Sequence, residues 1–174
     1  MFETEAEIAA LQALLDRSMA RAGPHLRSIF EGARMPAHDL VAKMTGMRLL
    51  TVATVSRDGR PFAGAVDGYL LHGELWFSSG PDAVRTRQLR RNPAVSATWL
   101  PDESTQLTVH GEVEIVPFGD ARTAELRQAM LDHYVPIAGP EWAGFVDELE
   151  RDGAVAFRIV ASRAFGYHRA ADNS

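Results

Sequence analysis

The chain has 174 residues, 18 basic against 23 acidic side chains for a net charge of −5, and no cysteine. A chain of this length buries a substantial core as one domain, while the missing cysteines exclude a disulfide framework and a thiolate metal site. The acidic balance excludes general binding to the phosphate backbone of nucleic acid, so any anion site has to be local.

From the N-terminus, Thr4-Glu5-Ala6-Glu7 reads as a capping box, and Ile8, Leu11, Leu15, Met19 and Ala22 follow at helical spacing until Gly23-Pro24. The spacing predicts a helix over 4–22 whose apolar stripe serves as a lid or a partner-subunit contact. Its opposite face is mixed-charge, which argues against a membrane role. Glu3, Glu5 and Glu7 stand where an export signal would carry basic residues, and no uncharged run is long enough to span a bilayer. A cytoplasmic protein with no membrane partner is expected. One or two short helical pieces are expected over 25–46, making 1–46 a helical extension ahead of a barrel domain over 47–170.

The rhythm then changes to strands. Leu49 to Val55 and Phe62 to Leu71 flank an Asp58-Gly59 turn, and His72-Gly73 leads into Glu74 to Ser78, a three-stranded meander. After an arginine-rich helix, Ala94 to Leu100 is strand-like. Leu107, Val109, Val113 and Ile115 alternate with polar residues, and Gly111 among them marks a bulge or a close approach to a ligand. Asp120 opens a helix carrying Leu126, Met130 and Tyr134, Pro140 opens another with Trp142, Phe145 and Leu149, and Ala154 to Ser162 returns as a strand. The expected fold is an all-β core with flanking helices: six or seven antiparallel strands closed into a barrel, which removes their edges.

The stretch from Trp76 to Pro93 is a candidate anion site: a buried strand running through a Ser/Gly/Pro turn into the arginine-rich helix. The hydroxyls of Ser78 and Ser79, the free N–H groups of the helix start and the side chains of Arg85 and Gln88 converge there, and phosphate is the ligand such a site suits. Thr86 and Arg87 stand on the same turn, whereas Arg90 and Arg91 at the helix C-terminus read as surface residues. The competing reading is a strand-turn-helix link in which Ser79 caps the helix and the basic face is solvated. The six histidines show no pair at metal-ligand spacing, and G-x-S-x-G, P-loop and G-x-G-x-x-G motifs are absent, so no catalytic side chain and no metal ligand is assigned.

Three pieces in order resemble the pyridoxamine-phosphate-oxidase-like split barrels, a superfamily of flavin and deazaflavin oxidoreductases. They are Leu49 to Pro61 with its Asp58-Gly59-Arg60-Pro61 hairpin, Arg85 to Ser96 with its Leu89…Asn92-Pro93 helix end, and Val109 to Ile115. A weaker echo lies at Ala164-Phe165-Gly166-Tyr167. The resemblance puts Arg85 where the family has a phosphate-binding Lys, and Gln88 where it usually has Asn. It implies FMN or the deazaflavin coenzyme F420 as cofactor, hydride transfer to a small organic substrate, and a homodimer with its site at the interface. The segment Phe62 to Val66 would line the ring. Here it is apolar or small, leaving the backbone groups of Ala65 and Val66, with Trp99 and Tyr167 as aromatic candidates for the wall. All basic residues but Lys43 are arginines, the composition of a G+C-rich genome, which favours F420. The ending Phe165-Gly166-Tyr167-His168-Arg169 lacks the Arg-Leu-x-Pro pattern of pyridoxamine phosphate oxidases themselves. The rival class is a non-catalytic carrier of flavin, haem or tetrapyrrole on the same barrel, with His110 or His168 as axial ligand.

Overall fold

The structure is a computed structural model that describes residues 2–169. Three helices, α1 (Glu5–Ala20), α2 (Pro24–Ile29) and α3 (Ala37–Lys43), precede the strands β1 (Arg48–Val55), β2 (Pro61–Leu71) and β3 (Glu74–Ser79). Helix α4 (Val84–Arg91) leads to β4 (Ala94–Asp102) and β5 (Thr105–Pro117). A 3-10 turn, α5 (Ala124–Ala138) and α6 (Trp142–Arg151) separate β5 from the last strand, β6 (Val155–His168). The six strands close into an antiparallel barrel in the order β1-β2-β3-β6-β5-β4, as the alternation and turn signals predict.

The barrel interior is filled by inward residues of every strand, among them Leu50, Val52, Phe77, Val109 and Ile159, with the rings of Phe77 and Phe157 stacked at 4.8 Å. Side chains alternate across a strand, so the residues between these face outward. Helix α1 starts at the expected capping box: Glu7 N–H donates to Thr4 Oγ1 at 3.3 Å, and Thr4 N–H to Glu7 Oε2 at 2.7 Å. Leu11 and Leu15 of its stripe are each 7% exposed and belong to the same core as the barrel strands, with Leu11 lying over Leu75, Ile159 and Ala161.

A second apolar cluster lies outside the barrel, where Tyr69, Leu71 and Trp76 of β2 and β3 pack under Leu126 and Met130 of α5 and Val146 of α6. Asp120 caps the 3-10 turn, accepting from Arg122 N–H at 2.9 Å, and α5 begins only at Ala124.

Strand β6 departs from expectation. It does not end at Ser162 but runs to His168, because its register skips one residue: His110 pairs with Arg163, while Gly111 pairs with Ala161. Ser162 is the extra residue of a bulge that moves the inward set from Phe157 and Ile159 to Ala164, so an unbroken alternation ends there although the strand continues. The same bulge accounts for Gly111. A Cβ there would lie 2.2 Å from the Val160 carbonyl oxygen, so the close approach at this glycine is made by backbone, not by a ligand.

Candidate functional site

Helix α4 closes one end of the barrel. Its Leu89 is 1% exposed within the barrel core, and the turn before it opens a pocket of about 200 Å³ against the inner ends of β1 and β2. Val52 and Thr54 form its floor, Phe62 and Gly64 one wall, and Arg85 and Gln88 the other. Arg85 is the one charged side chain among the residues that line it.

Arg85 is a cation without a counter-ion. Among the described residues no carboxylate pairs with it, and its one hydrogen bond is a long one, Nη2 to the Ala65 carbonyl at 3.4 Å. Burial pushes its pKa down, since partial desolvation disfavours the charge and no anion offsets it. Gly64 leaves room for it: a Cβ there would lie 3.0 Å from Nη2. Gln88, only 5% exposed, is held from below by Thr54, whose buried hydroxyl donates to Oε1 at 2.5 Å. With Oε1 so engaged, the amide nitrogen is the group left for the pocket.

The start of α4 adds backbone donors. Its N-cap is Ala83, which has no side chain able to cap, and both Ala83 and Val84 line the pocket. The first-turn N–H groups of a helix lack intrahelical partners and favour an anion. Three kinds of donor thus meet at one cavity, and together they suit a phosphate.

The other sequence-predicted residues fall elsewhere. Ser78 and Ser79 end β3, paired with Ala156 and Val155, and are not among the lining residues. Ser79 is not the helix cap either, because the turn Gly80-Pro81-Asp82 separates it from Ala83. Thr86 is fully buried and its hydroxyl donates to the Gly80 carbonyl at 2.8 Å, which pins that turn. Arg87 is turned back to the Asp82 carbonyl. Ala65 contributes its carbonyl to Arg85, while the Val66 side chain lies in the barrel core. Trp99 is a core residue, 7% exposed, and Tyr167 packs edge-on against Phe30 at 5.4 Å, so neither lines this pocket.

Thr54 is the residue that sequence reading missed. The available signal was a hydroxyl at an inward position of β1, in line with Leu50 and Val52, where an apolar residue is the rule. Elsewhere, a wide cleft of about 940 Å³ follows the β5–β6 bulge, with His110 and Arg163 on its walls. His110 Nδ1 is held by Ser96 Oγ at 2.7 Å.

Residues 37–164 match the family model for pyridoxamine 5'-phosphate oxidase. The chain belongs to that family, in its split-barrel superfamily. No curated protein matches it. Among solved structures, the conserved hypothetical protein Rv2991 from Mycobacterium tuberculosis superposes with a TM-score of 0.63 at 24% identity, over 78% of this chain and 86% of that one. An F420 reductase superposes with a TM-score of 0.54 at 22% identity, over 71% and 93%. The haem storage protein HutZ from Vibrio cholerae does so with 0.58 at 18% identity, over 75% and 91%. At these identities the likeness is one of fold. Among the described residues no helix is long and apolar enough to cross a membrane.

Proposed function

We propose that this protein is an oxidoreductase that binds a phosphate-bearing flavin or deazaflavin, FMN or F420, and transfers hydride to a small organic substrate. The observation that carries the reading is Arg85, a partly buried guanidinium with no carboxylate, lining a pocket with the open Gln88 amide and an uncapped helix start. Similarity to an F420 reductase supports it. The bound ring supplies the hydride, and the chain's part is to anchor the phosphate and shield the site, which is consistent with no acid–base constellation at this pocket. Replacing Arg85 by Ala removes a charge-assisted bond, and a loss of about 1.5–3 kcal/mol, roughly ten- to 150-fold in affinity, is expected. Fluorescence titration with FMN and with F420 measures it, and unchanged affinity for both ligands would sink the assignment.

The dimer expected from the resemblance has a candidate surface. Thr51 and Ala53 of β1, Ala63 and Ala65 of β2 and Ser96 and Thr98 of β4 face outward, all exposed or half-buried, and none carries a charge. An uncharged stretch of sheet this wide is what a subunit interface needs at its centre. It borders the pocket through Ala65, whose carbonyl meets Arg85, so a second subunit seated there would wall the cofactor site.

One observation favours the carrier reading. His110 has Nδ1 fixed by Ser96, leaves Nε2 for a ligand and stands in the wide cleft, the arrangement an axial haem ligand requires. The absorption spectrum of protein expressed with haem available decides: a Soret band lost in His110→Gln supports the carrier, whereas a flavin or deazaflavin spectrum unaffected by that change supports the oxidoreductase.

A further inference from the structure

The pocket at α4 holds a feature that bears on which phosphate it takes. This chain's share of the lining carries a single formal charge, on Arg85, and its remaining donors are neutral: the Gln88 amide and the N–H of Val84, the Ala83 N–H being taken by the Gly80 carbonyl at 3.2 Å. Thr54 sets that amide, its buried hydroxyl donating to Gln88 Oε1 from the strand below. No other titratable side chain lines the cavity. The nearest guanidiniums are turned away, Arg87 to the Asp82 carbonyl, Arg90 to the Pro81 carbonyl at 3.3 Å and Arg91 to the Val55 carbonyl at 2.9 Å. The pocket is also open at its rim, where Phe62 is 47% and Val84 50% exposed.

Resting on the anion-site reading above, we propose that this pocket selects a phosphodiester monoanion over a phosphomonoester dianion, with Gln88, positioned by Thr54, as the neutral second donor. A diester at neutral pH carries one charge, which one guanidinium matches. A monoester carries close to two, because its second pKa lies near 6, and the surplus charge would be drawn out of water against neutral donors alone. A diester also continues beyond its phosphorus, and the exposed rim gives the second arm an exit. Of the two ring cofactors, F420 bears a phosphodiester and FMN a monoester, so the site is matched to the former.

Equilibrium titration of the full-length protein with each ligand at pH 7.5 and pH 5.0 tests this. The expected result is tighter binding of F420 at pH 7.5, an F420 affinity that hardly moves with pH, and an FMN affinity that rises severalfold at pH 5.0 as the monoester loses its second charge. Gln88→Lys, which supplies a second cation, shifts the preference toward FMN by about tenfold, and Gln88→Glu weakens both. Thr54→Val frees the amide and weakens both severalfold, with a melting temperature lowered by the loss of the buried bond to Gln88 Oε1. Tighter FMN binding at pH 7.5 than at pH 5.0, or a Gln88→Lys variant that folds yet leaves the preference unmoved, overturns the proposal. Should a lysine at 88 prevent folding, the wild-type pH comparison decides alone. Loss of both ligands in Arg85→Ala with no discrimination in the wild type removes this proposal and keeps the anion site. Retention of both ligands in Arg85→Ala removes the underlying reading as well.

Discussion

At the scale of single residues, His72 shows how much one side chain ties together. It sits in the turn between β2 and β3 with a positive φ of 56°, a conformation that suits Asn or Gly better. Its ring spans two carboxylates: Nδ1 meets Glu7 Oε1 of α1 at 2.9 Å and Nε2 meets Glu125 of α5. Both nitrogens donate only in the imidazolium, so the two bonds favour the charged ring, and the Glu125 bond, then the Glu7 bond, raise its pKa above the usual 6.5. A raised folded-state pKa contributes stability that is complete below the unfolded value of 6.5 and is lost as pH rises through the folded one. The ring is 42% exposed, so solvent screening keeps the contribution below about 1 kcal/mol. A small fall in melting temperature on going from pH 6 to pH 9 is therefore expected in the wild type and absent in His72→Asn, which keeps the turn. An identical pH profile in the two proteins would show that the bridge contributes nothing.

Tyr134 is a second such link. Its hydroxyl donates to Asp67 of β2, and burial followed by that bond pushes its pKa up to about 12, while its ring stacks on Trp142 at 3.9 Å. It is therefore a protonated donor near neutral pH, fastening α5 to the barrel wall.

At the scale of elements, the β5–β6 pair carries most of the information that tertiary pairing adds. Its bulge tolerates no Cβ at Gly111, where the obstacle is the Val160 carbonyl and the Ala161 Cα, backbone that cannot rotate away. Gly111→Ala is expected to destabilise the protein by about 1–3 kcal/mol. Gly144, inside α6, has nothing within 4 Å of its would-be Cβ, so the same substitution there is expected to stabilise by roughly 0.5–1 kcal/mol through lower backbone entropy in the unfolded chain. Urea unfolding of both variants checks the opposite signs, and a neutral Gly111→Ala would mean that the bulge relaxes freely.

At the scale of the whole molecule, the apolar stripe of α1 is largely used within the chain, with Leu11, Leu15 and Met19 buried, while α6 buries Val146 and leaves Phe145 43% exposed. The wider uncharged surface is the outer face of β1, β2 and β4. Thr51 lies at its middle, opposite Ala65 on one side and Thr98 on the other. Thr51→Arg places a charge at the centre of the proposed interface and is expected to convert a dimer into a monomer in light scattering, with a melting temperature close to the wild type at high protein concentration. A dimer that survives the substitution would place the interface elsewhere.

The sequence by itself determined the order and kind of nearly every element, because turn chemistry and hydrophobic period are local. Asp58-Gly59 and His72-Gly73 mark their turns, Thr4…Glu7 marks a helix start, and the alternation from Leu107 to Ile115 marks a half-buried strand. It also singled out Arg85 and Gln88, since a basic side chain and an amide one turn apart behind a strand are visible in one dimension. Only the tertiary structure decided what those residues meet. Gln88 acquires its meaning from Thr54, 34 positions away, and the Thr86 hydroxyl meets the Gly80 carbonyl. Ser78 and Ser79 stand beside β6 and not in the pocket, because the helix begins at Val84 instead of at the strand end. The length of β6 was hidden for the same reason: a bulge is a relation between two strands, and the parity it resets at Ser162 is written in neither strand alone.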